Sequence, residues 1–160
     1  MPRKEISNLV IENGRIVFRN FSGKETKFNP AGRRNFCAVI DDSELAQQLA
    51  DDGWNIKYLK PRDEQEAPVP YIQVGVNYGA IPPKIYLVSG KNKTLLDEDT
   101  VGTLDWAEII SVDMTIRPYM WEVGGKTGIK AYIKNMYVNI QKDEFEDKYD
   151  FPDEDEDTPF

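Results

Sequence analysis

Histidine is absent from this chain and cysteine occurs once. Without imidazole there is no Ser–His or Cys–His nucleophile pair, no histidine proton shuttle and no histidine metal ligand. The single thiol, Cys37, has no disulfide partner within the chain. It stands between apolar residues, where it reads as a buried strand thiol in a reducing compartment. No apolar run approaches the roughly 18 residues of a membrane span, and Met-Pro-Arg-Lys-Glu at the start has no signal-peptide apolar region. The expected location is therefore cytoplasmic, the host's cytoplasm if the protein is viral, with no membrane association. A phosphate-cradling glycine loop is also missing, since Val123-Gly-Gly-Lys-Thr127 lacks the first glycine of that pattern and falls between strands. These absences remove most enzyme classes and call for no cofactor and no resident metal. A nuclease using Asp97, Glu98, Asp99, Asp105 or Glu108 with Mg²⁺ stays open in principle, although no lysine stands at a telling position beside those acids.

What is present suits one domain with a real core: 160 residues, 40% apolar and 11% aromatic. The net charge of −8 is unevenly placed. Of 20 basic and 28 acidic side chains, residues 143–160 hold ten acids and Lys148, which leaves 19 basic and 18 acidic in residues 1–142. The low pI thus belongs to the end of the chain, and the body is nearly neutral. Two segments follow: a domain over 1–142 and an acidic tail over 143–160, too poor in apolar residues to join a core and expected to be disordered.

Along the body the pattern is mostly extended. Leu9-Val10-Ile11 and Arg15 to Phe21 read as strands about a turn at Asn13-Gly14, with Ile16 and Phe18 on an apolar face and Arg15, Val17 and Arg19 opposite. Ser22 to Gly32 is loop chemistry rich in glycine, proline and asparagine, and it carries Lys24, Lys27 and Phe28, with Arg33 and Arg34 next. Asn35 to Ile40 is a strand. Asp41-Asp42-Ser43 caps a helix over Glu44 to Asp52, ended by Gly53. Trp54 to Leu59 is a strand with Trp54, Ile56 and Tyr58 on one side and Lys57 on the other. Lys60, Arg62 and three prolines mark the exposed loop over 60–70. Tyr71 to Tyr78 and Lys84 to Val88 are strands, Gly90 to Lys93 is a basic turn, and Asp97 caps a helical turn before Leu104.

The most informative stretch is Val112 to Ile140, a long hairpin about Gly124-Gly125. That turn sets Tyr119 opposite Lys130, Arg117 opposite Tyr132, Thr115 opposite Lys134, Met120 opposite Ile129 and Ile116 opposite Ile133. The ribbon then has one apolar face and one face of Arg117, Tyr119, Trp121, Lys130, Tyr132 and Lys134. Rings interleaved with cations suit single-stranded nucleic acid, with stacking for bases and charge for phosphates. The competing reading is a solvated face of residues with high β propensity. Pro118 belongs on an edge or at a bulge. The inward phase also shifts from Ile129 and Ile133 to Met136, Val138 and Ile140, which requires an extra residue near Asn135.

The chain closes on Asp155-Glu-Asp-Thr-Pro-Phe160, where Asp155, Glu156 and Asp157 precede Pro159 and a terminal aromatic. An acidic run ending on Pro-Phe offers a partner a ring, a rigid proline, a carboxylate and flanking charge, and it suits an apolar pocket with a basic rim. This ending resembles the acidic tip of bacterial and phage single-stranded-DNA-binding proteins, which recruits replication and repair enzymes. Residues 8–142 resemble the single-stranded-DNA-binding proteins of tailed bacteriophages through Phe18-Arg-Asn-Phe-Ser-Gly-Lys24, Arg34-Asn-Phe-Cys-Ala-Val39, Asp52-Gly-Trp-Asn-Ile-Lys-Tyr-Leu-Lys-Pro-Arg62, Ile116-Arg-Pro-Tyr-Met-Trp121 and Gly125-Lys-Thr-Gly-Ile-Lys-Ala-Tyr-Ile-Lys134.

The resemblance implies an all-β fold with a minor helix, the five-stranded OB barrel, with extra strands or insertions. One departure is that the helix expected here follows the second strand, whereas the simple OB barrel carries it between the third and fourth. The loop over 22–32 would then flank the binding groove. Lys24, Lys27, Arg33 and Arg34 would meet phosphates and Phe28 a base, with Lys57, Lys60 and Arg62 a second basic group and Arg19 and Phe21 of the preceding strand as further DNA contacts. The expected function is sequence-tolerant binding of single-stranded DNA in phage replication, recombination and repair, with enzymes recruited by the tail. An adaptor that only binds proteins is the alternative. Oligomeric state stays open, a homo-oligomer included.

Overall fold

A computed structural model of the chain describes residues 6–27, 29–60, 65–79 and 81–140. The elements are β1 (Leu9–Gly14), β2 (Ile16–Asn20), β3 (Arg34–Val39), α1 (Ser43–Asp52), β4 (Ile56–Leu59), β5 (Val69–Val76), β6 (Lys84–Ser89), β7 (Asn92–Leu96), a 3-10 turn (Val101–Asp105), β8 (Ile109–Val123) and β9 (Lys126–Ile140). The expected mostly-β fold with one helix is observed. The strands run β1-β8-β9-β5-β3-β2 in one sheet, all antiparallel except β9 beside β5. Its two ends, β1 and β2, are consecutive pieces of one chain segment separated only by Arg15. Counted as one bent strand, they complete the OB order first-fourth-fifth-third-second-first. Among the described residues no ladder closes the sheet; β1 and β2 are joined only by the backbone at Arg15. Asn13-Gly14 is accordingly a kink, with Asn13 at φ 51°, and not a hairpin turn.

The helix follows β3, as its cap sequence predicts. Asp42 accepts from the N–H groups of Glu44 and Leu45, and Gly53 ends the helix at φ 108°. Between β5 and β8 the chain instead inserts the β6–β7 hairpin and the 3-10 turn. β6 pairs in parallel with the far half of β9, so the insertion widens the sheet. β7 was not evident in the sequence, because the polar Asn92, Lys93 and Thr94 conceal it; only Leu96 of this strand is buried.

The core joins Phe21, Phe36, Ile72, Val74, Ile85, Leu104, Val112, Ile116, Met136 and Val138. It forms because the inward phase of each strand is apolar. In β8–β9 the pairs Tyr119–Lys130, Arg117–Tyr132, Met120–Ile129 and Ile116–Ile133 stand as the turn predicts. Thr115 instead faces Asn135, leaving Lys134 as the extra residue of the expected bulge. The ladder with β1 stops at Ile116, so Pro118 lies beyond it.

Candidate nucleic-acid interface

Where the β8–β9 arm leaves the body, it forms one wall of an open groove of about 1170 Å³. Tyr119, Trp121, Lys130 and Tyr132 line this wall. Asn35, Gln73, Gly75 and Asn77 from β3, β5 and the strand's end form the floor, with Asn55 beside them. Two rings of the arm, Trp121 and Tyr132, lie across a glycine of the neighbouring strand. A Cβ on Gly128 would stand 2.6 Å from Trp121 Cζ2, and one on Gly75 would stand 3.0 Å from the Tyr132 ring. Glycine within a strand marks a close approach of this kind. Tyr119 meets Tyr132 edge to face at 6.2 Å, and Lys130 Nζ sits 5.6 Å from the Tyr132 centroid. The rings therefore keep fixed orientations, while Tyr119 is 57% exposed and Trp121 37%.

The far end of the groove belongs to Arg33, Arg34 and Tyr78. The loop before them is stiffened by amides: Asn29 donates to the carbonyls of Lys24, Pro30 and Arg33, and Asn35 donates to Asn29. This network brings Arg33 to the groove as an exposed cation. Arg34 is held differently. Its guanidinium lies 5.7 Å from the Tyr78 ring centroid and 3.4 Å from the Glu98 carboxylate. Arg34 Nε and Tyr78 Oη are both buried without a hydrogen-bond partner among the described residues. Burial pushes the Tyr78 phenol up to about 12 against the pull of Arg34, so the ring enters any interaction as a neutral donor.

Two of the residues expected to touch nucleic acid are engaged within the fold. Phe21 is fully buried and stacks on Phe36 at 5.1 Å and 17°. Arg19 spends its guanidinium on the carbonyls of Leu104 and Ala107, at 2.8 and 2.7 Å. The cause is one extra residue in β2, where the ladder steps from Val17–Cys37 to Asn20–Asn35. That bulge inverts the strand's phase. It carries Phe21 inward and turns Phe18, expected on the apolar face, to 62% exposure with φ 51°. Phe18 meets Tyr71 edge to face at 6.0 Å, and Lys57 is the register partner of Tyr71. Phe18 and Tyr71 thus make a second aromatic station that strand alternation pointed away from.

Of the other predicted residues, Lys24, Lys27, Lys57 and Lys60 are exposed but do not line the groove. Arg117 sits beside Tyr132, and Lys134 lies at the bulge beyond it. Phe28, Arg62 and the docking set Asp155, Glu156, Asp157, Pro159 and Phe160 fall outside the described residues. Sequence reasoning missed Tyr78 and Glu98; the interior Gly75 was the available sign that something crosses that strand.

Three of the five acids considered for a nuclease, Asp97, Glu98 and Asp105, are engaged elsewhere. Asp105 accepts from the Phe21 N–H and from the Ser22 N–H and hydroxyl. Asp97 caps its own turn through Asp99 and Thr100, which holds its carboxyl below the usual range, and Glu98 pairs with Arg34. Among the described residues no group of three or more Cys, Asp or Glu side chains is placed to hold a metal ion, and no helix is long and apolar enough to cross a membrane.

A family model described as "Putative phage ssDNA-binding domain" matches residues 1–159. The chain belongs to this family. Three solved structures of the single-stranded DNA-binding protein from bacteriophage Enc34 share the fold of this phage ssDNA-binding chain. A C-terminal truncation aligns with TM-score 0.55 and 11% identity over 85% of this chain and 87% of that one. The protein without that truncation gives 0.53 and 10% over 89% of each. Its complex with ssDNA gives 0.53 and 11% over 86% and 87%. At such identity the likeness is one of fold. No curated protein matches the chain.

Proposed function

We propose that this member of the phage ssDNA-binding family binds single-stranded DNA without sequence preference, through the groove between the β8–β9 arm and the β3–β5 floor. One observation carries the reading: Tyr119, Trp121 and Tyr132 stand in fixed orientation in the same groove as Arg33 and Lys130. Rings accept any base and cations accept any phosphate, so the arrangement is sequence-tolerant by construction. Lys24 and Lys27 then act as outlying phosphate guides, with Phe18, Tyr71 and Lys57 as a neighbouring station. Membership of the family and the fold shared with a protein solved with ssDNA support this reading.

The domain is taken as residues 1–142, working in phage replication, recombination and repair. The segment 143–160 is taken as a tail that docks host or phage enzymes through Asp155 to Phe160. Its ten acids, carried on the same chain as the groove, compete with DNA at low salt. Titration with a labelled oligonucleotide, in Mg²⁺ and then EDTA, tests the whole. The binding protein shifts the strand intact, an adaptor leaves it free, and a nuclease shortens it. Log affinity should fall with log salt at about −0.7 per phosphate neutralised, and Tyr119→Ala, Trp121→Ala and Tyr132→Ala should each cost about 1–3 kcal/mol. Phe160→Ala should reduce enzyme recruitment while leaving DNA affinity unchanged; retained recruitment would show that the tail works as charge alone.

A further inference from the structure

Outside the groove, Tyr86 of β6 and Tyr137 of β9 stand side by side in parallel register. Their rings stack at 5.1 Å and 10°, and Lys93 Nζ from β7 sits 4.7 Å and 5.7 Å from the two centroids. Tyr137 is 39% exposed, so the core does not enclose this pair. An aromatic stack crowned by a cation repeats the chemistry of Tyr132 and Lys130.

The two stations share a strand. Tyr132 and Tyr137 both project from the outer face of β9, about 15 Å apart at the usual rise per residue. The bulge between them turns Lys134 and Asn135 outward, while Ile133 and Met136 on either side are buried. Lys84, exposed, is the register partner of Asn135. Two lysines thus stand on the surface between one aromatic station and the next. On the opposite flank Glu12 and Asp113 line a small cleft that reaches Tyr137. These acids repel phosphate from that side and leave the way over β6 and β7 open.

We propose that a single strand leaving the groove continues along β9, past Lys134 and Lys84, and stacks a base on the Tyr86–Tyr137 pair with Lys93 at its phosphate. The occupant is the same strand that fills the groove, because the cations and rings run on from it without a gap in chemistry. This inference rests on the groove being a single-strand site. It gives a role to Lys134, which lies outside the groove, and to the β6–β7 insertion that widens the sheet.

The test uses the full chain with two oligothymidines, one of about 5 nucleotides to fill the groove and one of about 16 to reach the platform. Lys93→Glu reverses the exposed cation, and Tyr86→Leu/Tyr137→Leu keeps apolar bulk on both strands while removing the rings. The long oligonucleotide should bind each variant about tenfold more weakly than wild type, with the short one unaffected. Equal loss on both lengths, or loss on neither, overturns the platform while the groove reading stands. A wild-type protein that binds neither length overturns both.

Discussion

Trp121 lies flat across Gly128, so that a methyl group at position 128 would come within 2.6 Å of its ring. The glycine therefore sets the orientation of the largest ring on the arm. Gly128→Ala should push the indole off its strand and weaken DNA binding by about 1–3 kcal/mol, the range for losing one stacked base. In a double-mutant cycle with Trp121→Ala the two losses should not add, because both remove the same contact. Additive losses, read by titration with a labelled oligonucleotide, would show that the glycine serves the hairpin and not the ring.

Glu98 occupies the guanidinium of Arg34 at the end of the groove. Glu98→Gln should free that cation for phosphate, tightening binding modestly at low salt and steepening the salt dependence. Arg34 is only 19% exposed in this pair, so the fold should lose about 1 kcal/mol, the upper end for surface pairs. Arg33→Gln should do the reverse, weakening oligonucleotides of every base composition alike and flattening the salt slope. A loss confined to one composition would make Arg33 a base reader.

Phe18 and Phe21 should separate binding from stability. Phe21→Ala empties a site in the core and should cost about 3–5 kcal/mol in a denaturant titration. Phe18→Asn replaces an exposed ring held at φ 51° by a residue that tolerates that conformation. Stability should hold or rise by about 1 kcal/mol, while DNA affinity falls. Loss of stability in Phe18→Asn would mean that its contact with Tyr71 is structural.

Burial raises the Cys37 thiol to about 11, and nearby Lys57 opposes this only in part. In the folded protein the thiol is neutral at pH 8 and should resist alkylation until the chain unfolds. The raised folded pKa means that this group's contribution to stability is complete below pH 9, its ordinary value, and is lost as pH rises towards 11. Denaturant midpoints of wild type and Cys37→Ala across that interval should converge if the linkage holds.

Local chemistry was enough to locate several elements. Gly124-Gly125 accepts positive φ at both turn positions, and with period-two alternation this settled the pairs from Ile116–Ile133 to Met120–Ile129. Asp42 and Gly53 marked both ends of the helix, because capping depends on residues next to it in the chain. The shift of apolar phase located the β9 bulge to within one residue, at Lys134 instead of Asn135. Other features depended on distant partners. The bulge in β2 follows from how Val17 and Asn20 align with β3, and it alone decides that Phe21 enters the core while Phe18 leaves it. The nearby run of alternating residues carries no sign of that extra step. The groove likewise joins Arg34 to Glu98 and Tyr132 to Gly75, pairs that meet only when separate segments fold together. A residue's type is written in the sequence, but which face it turns to is set by the strand that pairs with it, and here that strand lies elsewhere in the chain.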